Sequence, residues 1–270
     1  MLLKQLPPEC IDLTVTSPPY DNLRAYNGFT FDFETIAQEL YRVTKQGGVV
    51  VWVVGDATVN GSETGTSFRQ ALYFMQCGFN LHDTMIYRTT KPPLTHNRYE
   101  QEFEFMFVLS KNAPKTFNPI TAKKDWADSR KVKLVRREHD GSWDVGKAGK
   151  SEYKMCGNVW NINTGGFHTS QDKIAFQHPA IFPEQLANDH IYSWSNEGDI
   201  VLDVFAGSGT TLKMAKMLNR NYIGFEISDE YCELARRRVL ASPVPLLNWQ
   251  SAQQSVQRTG GESGQQNLFS

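Results

Sequence analysis

Apolar and polar residues alternate over Ile11-Asp12-Leu13-Thr14-Val15-Thr16, with β-branched side chains prominent. A period of two in such residues predicts a strand. Pro18-Pro19 ends it, because proline has no N–H for the ladder, so Ser17 to Tyr20 fall in the loop at the strand's carboxyl end. Ile36, Ala37, Leu40 and Val43 recur at helical spacing within 33–45, and Gly47-Gly48 reads as the helix stop. Val49-Val50-Val51-Trp52-Val53-Val54 is a continuous apolar run, the pattern of a strand covered on both faces. A second helix is predicted over 67–77 with Phe68, Leu72 and Met75 on one face, followed by strands at 80–88 and 102–110. Polar loops fill 56–66 and 89–99.

Periodicity fades from 111 to about 175, where Lys, Asn, Gly and Trp become frequent, and that stretch reads as an insertion. Regular patterning returns with a helix over 183–195, opened by Pro183, and then a strand at 200–205, a helix at 210–218, a strand at 222–226 and a helix at 229–240. This is a β-α-β-α unit, and the chain as a whole reads as α/β. The last thirty residues, rich in Gln, Ser and Gly, are predicted to be disordered.

With 270 residues and 40% hydrophobic content, the chain can bury the core of one α/β domain and carry an insertion. It has no run of eighteen apolar residues, which argues against a membrane span. Met1-Leu2-Leu3-Lys4-Gln5 lacks the charged and apolar regions of a signal peptide, so a cytoplasmic protein is expected. Cys10, Cys77, Cys156 and Cys232 are scattered without a CxxC pair, which points away from disulfides, structural zinc or any other metal site. Net charge is −1, yet residues 111–155 hold twelve Lys/Arg against six Asp/Glu. That local excess makes the insertion a candidate phosphate-contacting surface; the plainer alternative is a solvated insertion whose lysines serve solubility.

Two segments carry candidate chemistry. From Asp203 to Thr211 a predicted strand runs through Gly207 and Gly209 into a helix, a turn whose backbone approaches a ligand closely while the helix N-terminus offers N–H groups to an anion. No Gly-Lys-Ser/Thr follows, which excludes a P-loop, and the third glycine of the dinucleotide fingerprint is absent. Glu226, seventeen residues after Gly209, closes the next strand where an acid can accept hydrogen bonds from ribose hydroxyls. A nucleoside cofactor fits; the alternative is an ordinary strand-turn-helix with a surface acid. The second segment is Ser17-Pro18-Pro19-Tyr20. The Ser17 hydroxyl and Pro18 carbonyl can accept both N–H bonds of a ring amine while Tyr20 stacks on the ring, a contact worth about 1–3 kcal/mol per base. Alone, the same four residues also fit a proline turn. His178-Pro179-Ala180-Ile181-Phe182-Pro183 precedes the cofactor strand, where Phe182 can pack on a flat cofactor surface; His178 by itself also fits a core histidine.

These residues, in this order, resemble the beta-class amino-group DNA methyltransferases, in which the target-base motif precedes the S-adenosylmethionine motif. The similarity covers roughly 6–110 and 176–240: Ile11-Asp12-Leu13 leading into Thr16-Ser17-Pro18-Pro19-Tyr20, Arg42 to Gly48, His178-Pro179-Ala180 with Phe182-Pro183, Phe205-Ala206-Gly207-Ser208-Gly209-Thr210-Thr211, and Gly224-Phe225-Glu226. The resemblance implies a Rossmann-like methyltransferase fold with a mostly parallel seven-stranded sheet in circularly permuted order. It implies a catalytic domain over 1–110 and 176–240 and a target-recognition region over 111–175.

It also implies base flipping, with Ser17, Pro18, Pro19 and Tyr20 as the catalytic motif. S-adenosyl-L-methionine would be held by His178, Pro179, Phe182, Asp203, Phe205, Ala206, Gly207, Ser208, Gly209, Thr210, Thr211 and Glu226. The implied partners are double-stranded DNA, touched by Lys123, Lys124, Arg130, Lys131, Lys133, Arg136 and Arg137, and a cognate restriction endonuclease, with the enzyme a monomer or homodimer. Ser17 leans towards cytosine N4, since adenine enzymes of this family more often begin the motif with Asp or Asn; adenine N6 is the alternative. Family members also usually carry a strand and a Gly-Asp pair ahead of a segment like Leu2-Leu3-Lys4-Gln5-Leu6-Pro7, so a sheet lacking one strand at the N-terminus is expected, and an inactive DNA-binding remnant is the second alternative.

Overall fold

The computed structural model describes residues 2–19, 32–89, 99–123, 133–137, 139–147, 152–165, 168–170 and 172–243, with the backbone alone at 2, 133–136 and 144–147. In chain order its elements are β1 (Ile11–Thr16), α1 (Phe33–Val43), β2 (Thr44–Val54), the small ribbon β3 (Thr58–Val59) and β4 (Ser62–Glu63), α2 (Thr66–Gln76), β5 (Asn80–Arg88) and β6 (Phe103–Ser110). Among its described residues, the segment without clear periodicity holds five short strands: β7 (Thr121–Lys123), β8 (Lys133–Arg137), β9 (Trp143–Lys147), β10 (Tyr153–Met155) and β11 (Val159–Asn161). Then come α3 (Glu184–Trp194), β12 (Ile200–Asp203), α4 (Thr210–Met217), β13 (Asn221–Gly224) and α5 (Asp229–Ala241).

Seven strands form one sheet in the order β11-β5-β6-β2-β1-β12-β13. All pairings are parallel except those of β6, which runs antiparallel to both β5 and β2. The seventh strand differs from expectation in origin: β11 comes from within 111–175 and adds in parallel to β5, pairing Val159 with Ile86. Three residues are too few for a periodicity to register, so this strand was not legible in the chain. β7 pairs with β10 and β8 with β9 as separate two-stranded ribbons.

The central strands bury both faces. Val49, Val51 and Val53 join a cluster with Leu186, Ala187, Ile191 and Trp194 of α3, while Val50, Trp52 and Val54 join Ile36, Ala37, Leu40, Ala71 and Phe74 of α1 and α2. α2 presents a different face from the predicted one. Phe68, Leu72 and Met75 are 53%, 59% and 45% exposed, whereas Ser67, Gln70, Ala71 and Phe74 are buried. Polar partners explain this: Gln70 accepts a 2.8 Å hydrogen bond from the Trp52 indole, and the Asp56 carboxylate accepts from Ser67 N at 2.9 Å, capping the helix. Gly47-Gly48 likewise does not stop α1, which ends at Val43. The pair lies inside an irregular stretch of β2, where pairing with β1 jumps from Ile11–Thr44 to Leu13–Val49. Gly47 is left-handed there (φ +77°), and a Cβ on it would meet that of Lys115 at 2.8 Å.

Lys111, the first of the basic-segment lysines, is buried and turned inward. Its Nζ donates to the carbonyls of Tyr41 (3.0 Å) and Thr44 (3.1 Å) at the end of α1 and pairs with Glu9 at 3.2 Å. A cation at a helix C-terminus completes its unpaired carbonyls. No helix among the described residues is long and apolar enough to cross a membrane. The four cysteines carry no disulfide.

Candidate active site

The sheet changes direction of growth between β1 and β12. α1 leads the chain from β1 to β2 on one side, while α4 leads from β12 to β13 on the other. β1 and β12 are nonetheless parallel neighbours, pairing Leu13 with Val201 and Thr14 with Leu202. Their carboxyl ends therefore open side by side at a topological switch point, where open α/β sheets bind ligands. Thr16 and Asp203 close the two strands and are hydrogen-bonded to each other, so the segments that follow them, from Ser17 and from Val204, leave the sheet at neighbouring points. The two segments singled out in the sequence thus meet across one crevice although some 190 positions apart.

Of the first segment, Pro18 is buried and Ser17 and Pro19 are half-buried; Tyr20 lies outside the described residues. Thr16, the last residue of β1, is buried and donates from Oγ1 to Asp203 Oδ1 at 2.6 Å. The same carboxylate oxygen accepts from Phe205 N at 3.1 Å. Asp203 thus faces the protein and ties the two strand ends together. Its burial pushes the carboxyl up to about 6, against the lowering pull of the Thr16 hydroxyl and the Phe205 N–H.

The turn after β12 is buried from Ala206 to Thr211, and its side chains bond to the interior. Ser208, Thr210 and Thr211 are all buried. Thr211 Oγ1 donates to Val15 O at 3.2 Å, and Ser208 and Thr210 hydroxyls accept from Arg238. Gly207 and Gly209 are left-handed (φ +50° and +77°). Side-chain room is short at both: a Cβ would come within 3.0 Å of His178 Nε2 at Gly207, and within 2.8 Å of the Ala235 Cβ at Gly209. Close packing against α5 is therefore the reason for the second glycine. Phe205 joins the Trp52 side of the core, with ring centroids 6.2 Å apart. Phe182 packs against the opposite cluster. His178 is buried beside Gly207, its ring 4.4 Å from that of Tyr231 and its Nδ1 accepting from Ala180 N at 3.1 Å; Pro179 is exposed.

Glu226 reaches back to the turn. Its Oε2 accepts from Gly207 N at 2.8 Å, and its Oε1 from Ile227 N (2.9 Å) and Ser228 N (3.0 Å). About three of the carboxylate's roughly four acceptor positions are filled, leaving one for a ribose hydroxyl. Ser208 N–H has no acceptor among the described residues. An unpartnered donor between two glycines at the start of α4 suits a carboxylate, and with the nearby acid it matches the two polar ends of an amino-acid nucleoside such as S-adenosylmethionine.

The predicted DNA-contacting residues are separate from this crevice in chain position. Lys123 is exposed at the end of β7, and Arg137 is exposed with its guanidinium 5.9 Å from the Trp143 ring centre. Lys133 and Arg136 lie on β8, described by backbone alone, and Lys124, Arg130 and Lys131 fall outside the described residues. Residues that sequence reading missed lie beneath the turn: Arg238, Lys213, Asp172 and Glu184. One signal was available, since Arg238 stands in the buried stripe of α5 with Leu234, Ala235 and Val239. A cation in an apolar stripe marks a paired, buried charge.

This strand order, with its open switch point and glycine-rich turn, is that of the Rossmann-like S-adenosylmethionine-dependent methyltransferases. The profile of the DNA methylase family of N6 and N4 amino methyltransferases matches residues 11–237, and the chain belongs to that family. It is a DNA methyltransferase with S-adenosyl-L-methionine as methyl donor. The orphan methyltransferase M.BamHII of Bacillus amyloliquefaciens is 60% identical over 235 residues, 85% of this chain and 88% of that protein. Among solved structures, the PvuII DNA methyltransferase (cytosine-N4-specific) superposes with a TM-score of 0.66 at 20% identity, covering 90% of this chain and 84% of that one. A DNA modification methylase of Thermus thermophilus, complexed with S-adenosyl-L-methionine, gives 0.60 at 23% identity, covering 90% of each chain.

Proposed function

We propose that the chain methylates the exocyclic N4 amine of cytosine in double-stranded DNA, with Ser17 setting the preference for that base. The observation that carries the reading is the meeting of Ser17-Pro18-Pro19 at the end of β1 with the glycine-rich turn at the end of β12. A ring amine is a weak nucleophile because its lone pair is delocalised. The Ser17 hydroxyl and Pro18 carbonyl accept its two N–H bonds and favour a pyramidal nitrogen whose lone pair faces the cofactor turn. Orientation and fixed dipoles then lower the barrier without a strong base. Tyr20 stacks on the flipped base.

When bound, S-adenosylmethionine supplies an electrophilic methyl group on a sulfonium. In our reading Ser208 N–H and the start of α4 hold its carboxylate, Glu226 holds a ribose hydroxyl, and Phe182 with the His178-Pro179 loop walls the site. Asp203, Thr210 and Thr211 support the turn from beneath. Residues 111–175 form the target-recognition part, and its lysines and arginines contact phosphate, which orients the duplex without reading sequence.

Incubation with labelled S-adenosylmethionine and mixed-sequence duplex, followed by digestion to nucleosides, tests the reading. N4-methylcytosine is expected. Recovery of N6-methyladenine would move the assignment to adenine, and salt-dependent DNA binding with no cofactor binding would leave a DNA-binding remnant.

A further inference from the structure

Beneath the cofactor turn lies a group of four charged side chains drawn from three distant parts of the chain. Asp172 ends the stretch returning from the insertion, Glu184 opens α3, Lys213 sits on α4 and Arg238 on α5. Arg238 has a fully buried side chain and spends every guanidinium nitrogen. Its Nε donates to Asp172 Oδ2 (3.2 Å), and its Nη2 to Glu184 Oε1 (2.9 Å) and Ser170 Oγ (3.2 Å). Its Nη1 donates to Ser208 O (2.6 Å), Ser208 Oγ (2.9 Å) and Thr210 Oγ1 (3.1 Å). Lys213 Nζ reaches the same two carboxylates, Asp172 and Glu184, each at 2.8 Å, and among the described residues that ammonium has no hydrogen bond to the turn, which Lys213 meets only through its backbone N–H on Gly209 O (3.0 Å).

That asymmetry separates two roles within one network. Two cations and two carboxylates balance in charge, which is what a buried cluster requires. Lys213 would suffice to pair the acids to α4. Arg238 adds a rigid fork, one side on the carboxylates and the other on Ser208 and Thr210, which a point-charge ammonium cannot reproduce. The Ser208 carbonyl it holds belongs to the residue whose N–H has no acceptor among the described residues, between two glycines whose backbone has little intrinsic preference. Fixing that carbonyl fixes the peptide planes of the turn.

We propose that Arg238 is a positioning residue for the cofactor turn: it sets the Ser208 backbone for S-adenosylmethionine and anchors it to the segment returning from the target-recognition insertion. The inference rests on the methyltransferase reading of the same crevice. Its consequence is selective. Weakening the fork raises the dissociation constant for S-adenosylmethionine, while turnover at saturating cofactor stays close to that of the unaltered enzyme.

The test compares Arg238→Lys with Lys213→Met in the full chain, using calorimetric titration with S-adenosylmethionine, methyl transfer to DNA and thermal melting, all well below both melting temperatures. Arg238→Lys is expected to weaken cofactor binding and raise its KM by about tenfold, with kcat within about threefold, because a small displacement of a binding backbone costs affinity steeply. Lys213→Met is expected to lower the melting temperature while leaving cofactor affinity within about twofold. Equal affinity losses in the two variants, or none in Arg238→Lys, would overturn the proposal. Should Arg238→Lys fail to fold, Thr210→Val removes one acceptor from the fork while keeping the branched shape; weaker cofactor binding supports the proposal and unchanged binding overturns it. Wild-type protein that binds no S-adenosylmethionine sinks the enzymatic reading and this inference with it. Wild-type protein that binds and transfers, beside an Arg238→Lys variant that matches it, sinks the inference alone.

Discussion

The hydroxyl of Thr16 donates to the carboxylate of Asp203 at 2.6 Å, joining the last residue of β1 to the last residue of β12. Both groups are buried, so the bond is shielded from competing water. Thr16→Val should leave the shape of β1 intact and strip the acid of its neutral donor. A stability loss of about 0.5–1.5 kcal/mol is expected from the lost buried hydrogen bond, with Phe205 N still donating to the same oxygen. Urea unfolding measures it, and transfer activity should fall with it because Ser17 and Phe205 lose their common anchor.

Asp203 also sets a pH dependence with a definite sign. Burial lifts its carboxyl from 3.8 to about 6 in the folded state. The folded protein therefore holds a proton that the unfolded chain has lost, and stability from this group is full below about pH 4 and is lost as pH rises through 6. The shift corresponds to about 3 kcal/mol at most. Asp203→Asn keeps an oxygen for Thr16 and Phe205 and removes the ionisation. At pH 8 the variant is expected to be at least as stable as the parent; a large loss there would contradict the assignment of burial as the cause.

His190 acts in the opposite direction. It is fully buried, its Nε2 lies 3.2 Å from Met106 Sδ, its ring centre lies 4.6 Å from that of Trp160 at a tilt of 32°, and Nδ1 has no partner among the described residues. Burial pushes its pKa down to about 3, so the unfolded chain takes up a proton near 6.5 that the folded one refuses. Stability from this group is present above about pH 6.5 and is lost as pH falls towards 3. Between pH 4 and 6 it opposes Asp203. The parent should show a shallow stability profile there, His190→Phe should become more stable with acid, and Asp203→Asn less so. Denaturant midpoints at pH 7 and 4.5 read the three slopes, with a difference of about 4–5 kcal/mol between variant extremes as the upper bound.

Much of this architecture was written in local pattern. β1, the buried run of β2 and the β12-α4-β13-α5 unit announced themselves by period and by proline or glycine punctuation. Both halves of the crevice were visible as motifs, and their meeting followed from parallel pairing that only topology supplies. What local pattern hid was polar burial. The face of α2 was misread because Ser67 and Gln70 satisfy Asp56 and Trp52 and so go inside, leaving Phe68 and Leu72 to solvent. Arg238 was marked only by its place in an apolar stripe; its partners were hidden, because its six acceptors lie 28 to 68 positions away along the chain.

The two glycines of the cofactor turn are expected to fail differently. At Gly209 an added Cβ meets backbone-anchored atoms of Ala235 on α5, which cannot rotate away. At Gly207 it meets the tip of the His178 ring, which can swing. Both positions also carry the left-handed cost of about 1–2 kcal/mol for a non-glycine residue. Gly209→Ala should therefore separate α4 from α5 and lower stability by more than that cost. Gly207→Ala should lose little beyond it but weaken S-adenosylmethionine binding, as His178 is displaced into the crevice. Melting and cofactor titration on both variants check the split; equal stability losses would show that the His178 contact is as unyielding as the helix.

Charge on the insertion predicts how DNA binding responds to salt. Lys123 is an exposed cation at the end of β7, and Arg137 lies on β8 over the Trp143 ring. If each contacts one phosphate, removing it releases one fewer bound counterion on binding. Lys123→Ala and Arg137→Ala are each expected to lower affinity to a similar extent for every duplex sequence and to reduce the log–log salt slope by about one unit. Neither should change which base is methylated. Affinities of parent and variants for specific and unrelated duplexes, taken from about 50 to 200 mM salt, provide the check. A variant that lost discrimination between duplexes while keeping its salt slope would instead mark that side chain as one that reads base edges, since only a contact within a groove distinguishes sequences.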